Sequence, residues 1–184
     1  MSAPGFFERV LDRLFEYQLI LAGCEADSQD PNRPVYLKRY FLVTASDPAR
    51  SAGQFHRPRV NLTVHRKIGG QVLLHKICMS DGDRELHDHP WNFTSIILWR
   101  GYVEQTECPK CDRGLCYLST PKRPGMILRR AAEHRHRVLI GDGPAWTLVF
   151  TSGRRKSWSF FRGAVAIPWR EFISRKCAPD GFSR

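Results

Sequence analysis

Two histidine pairs carry most of the chemistry this chain can offer. One is Leu86-His87-Asp88-His89-Pro90-Trp91, and the other is His134-Arg135-His136-Arg137-Val138. Side chains alternate along extended backbone, so imidazoles two residues apart project to one face. The pairs supply four candidate nitrogen ligands from a chain with seven histidines. Neutral imidazole binds iron, zinc, manganese, nickel and copper, and β-structure can hold such a site between strands. Asp88 points away from its flanking histidines and reads as structural.

Other residues near these pairs invite roles. Trp91, just after the first pair, is a candidate wall for a substrate. Phe93, Trp99 and Trp146 read as core. Arg129, Arg130, Arg135 and Arg137 surround the second pair. An inward-facing arginine clamps a carboxylate or phosphate with two parallel hydrogen bonds, while the outward ones are solvated. Arg129 and Arg130 are the candidates for the inward role.

Cys108-Pro109-Lys110-Cys111, followed by Cys116, forms a second cluster. A Cys-x-x-Cys turn lets two thiolates share one ion, so Cys108, Cys111 and Cys116 are candidate ligands of a second, structural zinc. Its fourth ligand would come from Cys24, Cys78, Cys177 or a histidine. Loop thiols without metal are the competing reading.

The elements that must position these groups are mainly strands. Pro4, Phe7, Val10, Leu11, Leu14 and Phe15 predict one N-terminal helix, ending near Gly23. After a polar connection over 27–34, β-branched and aromatic runs predict strands at Val35–Thr44, Val60–His65, Gln71–Met79, Thr94–Leu98, Tyr102–Thr106, Gly125–Arg129, His136–Ile140, Trp146–Ser152 and Ser157–Phe161. A closing helical turn is expected over Pro168–Ile173. Short, evenly spaced strands in a chain of 184 residues predict one all-β domain, a sandwich or barrel. The helix and connection span 1–34, the barrel 35–167 and the tail 168–184.

Charge adds a bias toward anions. Twenty-nine Lys and Arg against eighteen Asp and Glu give a formal +11, and the pI is near 9.8. Such an excess attracts nucleic acid, phosphorylated metabolites or carboxylates. No nucleic-acid motif accompanies it, which leaves that partner unfavoured. The N-terminus lacks signal-peptide character and no apolar run has membrane length, so the reading is cytoplasmic, with the six cysteines as thiols or metal ligands rather than bridges.

The histidine segments resemble the motifs of the cupin superfamily, of the RmlC-like jelly-roll type. Gly82, four residues, His87-x-His89 and a closing Gly101 resemble its first motif, with Thr94 where cupins usually carry a glutamate ligand. Gly125 leads in register to His136 of the second motif, with Ala131, Ala132 and Glu133 replacing its usual Pro and Gly pattern. The resemblance spans about Gln71 to Phe161. The first motif with Gly-Tyr, and the later Gly-Arg-Arg-Lys-Ser-Trp-Ser-Phe, are similar to a group of small bacterial and phage cupins.

That resemblance implies a cupin-type jelly-roll β-barrel with an N-terminal α-helix. It implies one divalent transition metal on His87, His89 and His136, iron(II) favoured, with zinc, manganese, nickel or copper as alternatives. Thr94 in place of glutamate implies either an open three-histidine site or loss of the metal. His134 becomes a neighbouring group or fourth ligand, and Glu104 a further candidate. Three-histidine cupins include dioxygenases, so the leading expectation is a dioxygenase-like enzyme acting on a small anionic molecule. A metal-dependent isomerase or hydrolase using His134 or Glu133 as acid or base is the nearest alternative. A non-enzymatic ligand- or nucleic-acid-binding cupin, or a metal-free structural one, belongs to other classes. A homodimer is a further expectation.

Overall fold

Eight consecutive strands pair as one long hairpin rolled upon itself. They are β5 (Gly70–Ile77), β6 (Leu86–His87), β7 (Phe93–Trp99), β8 (Tyr102–Glu107), β9 (Tyr117–Lys122), β10 (Ile127–Arg130), β11 (His136–Leu139) and β12 (Ala145–Ser152). The innermost pair is β8 with β9; outward from it β10 pairs with β7, β11 with β6 and β12 with β5, all antiparallel. Cross-pairing of β12 with β7 and of β11 with β8 then makes two sheets, one containing β10-β7-β12-β5 and the other β6-β11-β8-β9. That nested order is the jelly roll, the two-sheet Greek-key architecture used by cupins.

The computed structural model describes residues 5–22, 33–45, 54–67, 69–81, 85–109 and 116–177. Flanking elements extend both sheets. The first gains β2 (Val35–Ala45), β1 (Glu16–Leu21) and β3 (Gln54–His56), with β4 (Val64–Arg66) parallel to β2. The second gains β13 (Ser159–Arg162) and β14 (Val165–Pro168). Helix α1 (Phe6–Leu14) lies on the first sheet, and α2 (Trp169–Lys176) follows β14.

The N-terminal helix is shorter than its periodicity predicts. Phe15 is already extended, and β1 pairs with β2 from Glu16↔Phe41 to Leu21↔Val35 and with β3 on its other edge. The run Tyr17 to Leu21 suits either period, and strand partners on both sides decide it. The face of α1 also differs from expectation. Leu11 is buried against Tyr40 and Leu74, but Phe7 and Val10 are exposed and Glu8 is buried in their place. Trp99, expected in the core, is likewise exposed.

Alternation along β2 and β5 sorts the two faces of the first sheet. Lys38, Tyr40, Leu74 and Lys76 meet α1 on the outside. Phe41 and Leu73 pack inward with Val149, against Phe55 and Phe93. Arg39 and His75, register partners on these strands, therefore also face the space between the sheets. At the edge of the second sheet, Phe160, Ile167 and Phe172 form a small core with Trp158 and Trp169.

Candidate metal centre

Three of the four candidate imidazoles converge between the sheets. His87 ends β6 and is the direct register partner of His136 on β11, so both face inward together. His89 follows on the connection to β7, anchored by its backbone N–H to the Ala132 carbonyl at 2.9 Å. The rings form a near-equilateral triangle, with centroids 5.2 Å apart for His87–His89, 5.1 Å for His87–His136 and 5.0 Å for His89–His136. One ligating nitrogen from each lies within 4.8 Å of the others. Phe93 packs at 4.7 Å from His89, and Phe160 and Trp158 at 5.9 and 6.0 Å from His87.

Asp88, between His87 and His89, faces the other way as alternation requires. It is fully buried, bonded to Lys156 and accepting the Ser159 backbone N–H at 2.8 Å. That ties the His-x-His segment to β13 and fixes its register.

Glu104 supplies the organising charge. Its strand places it opposite Val138, on the inward face of β8. Oε1 meets His136 Nδ1 at 2.9 Å, His134 Nε2 at 3.3 Å and Arg130 Nε at 3.2 Å. Oε2 meets Arg130 Nη2 at 2.7 Å and Lys122 Nζ at 3.2 Å. Burial pushes the Glu104 carboxyl up, but the hydrogen bonds from His134, His136 and Arg130 outweigh it and hold it well below the usual carboxylate range. An ionised carboxylate only accepts, so His136 Nδ1 carries a proton. In neutral His136 the lone pair is then on Nε2, 2.8 Å from Nε2 of His89. Burial, then the neighbouring histidines, hold the His89 imidazole well below its ordinary value and keep it neutral.

These donors fit a divalent transition metal. Two nitrogens bonded at about 2.0–2.1 Å to one ion lie about 2.9 Å apart at a right angle and about 3.3 Å apart at a tetrahedral angle. The His89–His136 separation of 2.8 Å matches the right-angled case. A carboxylate holding the far nitrogen of a ligating histidine is the usual means of fixing its tautomer and ring plane. A second group, Glu104, His134 and His136, also has ligand-like spacing. Arg130 and Lys122 already occupy that carboxylate, so a cation there would meet two positive charges.

Several predicted roles separate at this point. His87, His89 and His136 come together, and Glu104 joins them through His136 rather than as a fourth corner. His134 is bonded to Glu104, set back from the triangle. Arg130 faces inward onto Glu104, whereas Arg129 is exposed. Thr94 does not face the histidines: its neighbour Phe93 does, and Thr94 pairs between Arg129 and the exposed Phe150 on the outer side. There Thr94, Arg129, Phe150 and Ser152 line an open groove of about 540 Å³. The count from Gly101 thus lands on the wrong side of the strand, because a one-residue offset reverses a side chain. Trp91 is half-buried, and the rings seated on the histidines are Phe93, Trp158 and Phe160.

The cysteine loop departs from the zinc reading. Cys116 and Cys177 are disulfide-bonded, while Cys78 and Cys108 are free. A disulfide sulfur carries no thiolate charge, so Cys116 is not a zinc ligand in this state, and the expectation that every cysteine is a thiol fails for these two. Cys111 and Gly82 lie outside the described residues.

What the sequence did not reveal is the Glu104 network and the inward Arg39–His75 pair. Arg39 Nε donates to His75 Nε2 at 3.1 Å. The alternation of β2 and β5 held the only signal for them.

No family model matches the sequence, and no curated protein does. Similar solved structures include a protein of unknown function with a cupin-like fold from Ralstonia eutropha, 12% identical with a TM-score of 0.43, covering 72% of this chain and 63% of that one. DMSP lyases are similar at 15% identity and a TM-score of 0.40, over 64% of this chain and 47% of theirs. Oxalate oxidase in complex with the substrate analogue glycolate is similar at 16% and 0.37, over 50% and 46%. The chain thus spans less than two thirds of each of these structures, and the fold rests on its own strand pairing.

Proposed function

We propose that this jelly roll is a mononuclear metalloenzyme in which His87, His89 and His136 hold one divalent transition metal. One observation carries the reading: three imidazoles converge between the sheets, and the third is oriented through its Nδ1 by a buried, ionised carboxylate. One right-angled pair, His89 with His136, suits iron(II) or manganese better than a closed tetrahedral zinc. With no carboxylate in the triangle, the site stays dicationic and favours an anionic substrate. A bound metal would supply Lewis acidity and, as iron(II), access to dioxygen chemistry.

The chain's own residues do the rest. Glu104 fixes the His136 tautomer and, with Arg130 and Lys122, keeps that side of the site charged and rigid. Phe93, Trp158 and Phe160 exclude water from the histidines and strengthen electrostatic interactions there. The oxidation proposed is of a small anion, dioxygenase-like. His134 already spends Nε2 on Glu104, which argues against a free general base at that position.

Elemental analysis of the purified protein, beside His87→Ala and His136→Ala, tests the metal. About one ion per chain in the parent and loss in both variants is the expected result. Oxygen uptake by the iron(II)-loaded protein across thiol and aromatic carboxylates tests the reaction; no uptake with full metal loading would remove the dioxygenase reading and leave the metal site.

A further inference from the structure

Arg39 is a cation deep in the barrel with no carboxylate on it among the described residues. Its one hydrogen bond among the described residues runs from Nε to Nε2 of His75. An arginine always donates, so His75 accepts at Nε2 and carries its own proton on Nδ1. Burial, then the Arg39 charge, hold the His75 imidazole well below its ordinary range, so the partner is neutral. Burial pushes the Arg39 guanidinium itself down to about 10, still charged at neutral pH. Both side chains lie deep between the sheets yet keep part of their surface accessible. No fully buried polar atom among the described residues lacks a partner, so the unbonded Nη edge of Arg39 keeps accessible surface that a ligand can reach.

Arg39 and the three histidines point from their strands into the same interior between the sheets. Arg39 and His75 sit one step along the same inner strands from Phe41 and Leu73, whose cluster includes Phe93, the ring against His89. The charge of Arg39 is felt at His89. Tyr36, also coupled to Arg39, bonds Asp81, which lies 3.8 Å from His87 Nδ1. Glu104 gives this guanidinium no relief, because Arg130 and Lys122 already hold it.

We propose that Arg39, steadied by His75, is the anchor for the carboxylate of a small monoanionic ligand bound inside the barrel. Burying an unpaired guanidinium is costly, and a fold keeps one where a ligand completes it. With Nε taken by His75, Nη1 and Nη2 remain as a planar two-pronged edge matched to two carboxylate oxygens. One uncompensated positive charge calls for one negative charge, which favours a carboxylate over a phosphate dianion. The inference rests on the metal reading only for what the ligand's other end meets.

The test therefore begins with metal-free protein. Acetate and glycolate are expected to raise its Tm at matched ionic strength, and inorganic phosphate is not. Arg39→Gln should weaken that carboxylate binding about 10- to 100-fold while leaving metal content at the parent level. His136→Ala should lose metal and keep the acetate shift. Arg39→Met should raise the Tm of the ligand-free protein, since it removes an unpaired buried charge; a structural arginine would lower it. No carboxylate shift in the parent protein, a shift retained in Arg39→Gln, or a phosphate shift exceeding that of acetate would each overturn the proposal. A protein that binds acetate through Arg39 but no metal would instead sink the metal reading alone.

Discussion

Two buried ionic clusters flank the first sheet, and they are built on opposite plans. Outside, under α1, Glu8 meets Lys38 at 3.1 Å and Lys76 at 2.6 Å, and Asp12 meets Lys38 at 2.5 Å and the Tyr40 hydroxyl at 2.7 Å. Two acids face two lysines, and the cluster is closed. Inside, Glu104 faces both Arg130 and Lys122, three imidazoles face each other, and Arg39 faces a neutral histidine. Both clusters pair buried carboxylates with cations. The outer one is complete with protein atoms alone, while the inner one has an excess of positive charge and convergent lone pairs. Incompleteness, rather than burial or ionic content, marks the site.

The largest effect expected from breaking this contrast is at the inner cluster. His136→Ala should lower metal affinity by more than about 100-fold, beyond what loss of a supporting residue costs, as read by metal titration. Glu104→Gln comes next, and it should act twice. It loosens His136, lowering metal affinity about 10- to 100-fold, and it leaves Arg130 and Lys122 without their carboxylate, destabilising the fold by about 3–5 kcal/mol.

Glu8→Gln should match the second of those effects without the first. It strands Lys76 and leaves Lys38 with Asp12 alone, costing about 3 kcal/mol in urea unfolding, with metal affinity unchanged. The same residue sets a pH dependence. Burial raises the Glu8 carboxyl, but bonds from Lys76 and Lys38 outweigh it and leave the pKa below its usual 4.5. A depressed folded-state pKa gives stability that is whole above about pH 4.5 and is lost as pH falls through the folded value. Unfolding free energy should thus decline on the acid side in the parent and decline less steeply in Glu8→Gln; equal slopes would break the assignment. Smallest is Thr94→Val, on the outer face, which should leave metal content unaltered and shift stability by no more than about 0.5 kcal/mol.

The strands were largely legible because alternation and turn residues are local signals. Val35–Thr44, Gln71–Met79 and Trp146–Ser152 reappear as β2, β5 and β12 with ends shifted by a residue or two. Gly101 was readable too: with φ of 98° after Arg100 at 62°, it makes the tight turn from β7 to β8, where a Cβ would lie 2.1 Å from the Lys122 carbonyl oxygen. β1 and β9 escaped notice because their partners, not their composition, make them strands. The histidine triad was visible as a motif, yet Thr94 was misplaced by counting. Glu104 stood out only weakly, since its meaning depends on facing Val138 and Arg130 across other strands. Arg39 and His75 are isolated in sequence and become a pair only through the register of β2 with β5.

The nested hairpin also dictates when such a centre can exist during folding. His89 and His136 are 47 residues apart, and the β6–β11 pair lies outside the β8–β9 pair in the nested hairpin. Non-local pairing of this kind is slow because chain closure precedes its reward. Metal capture by the proposed site is therefore expected to be a late event, so the rate at which newly diluted chains become able to bind an ion should clock the closing of the roll.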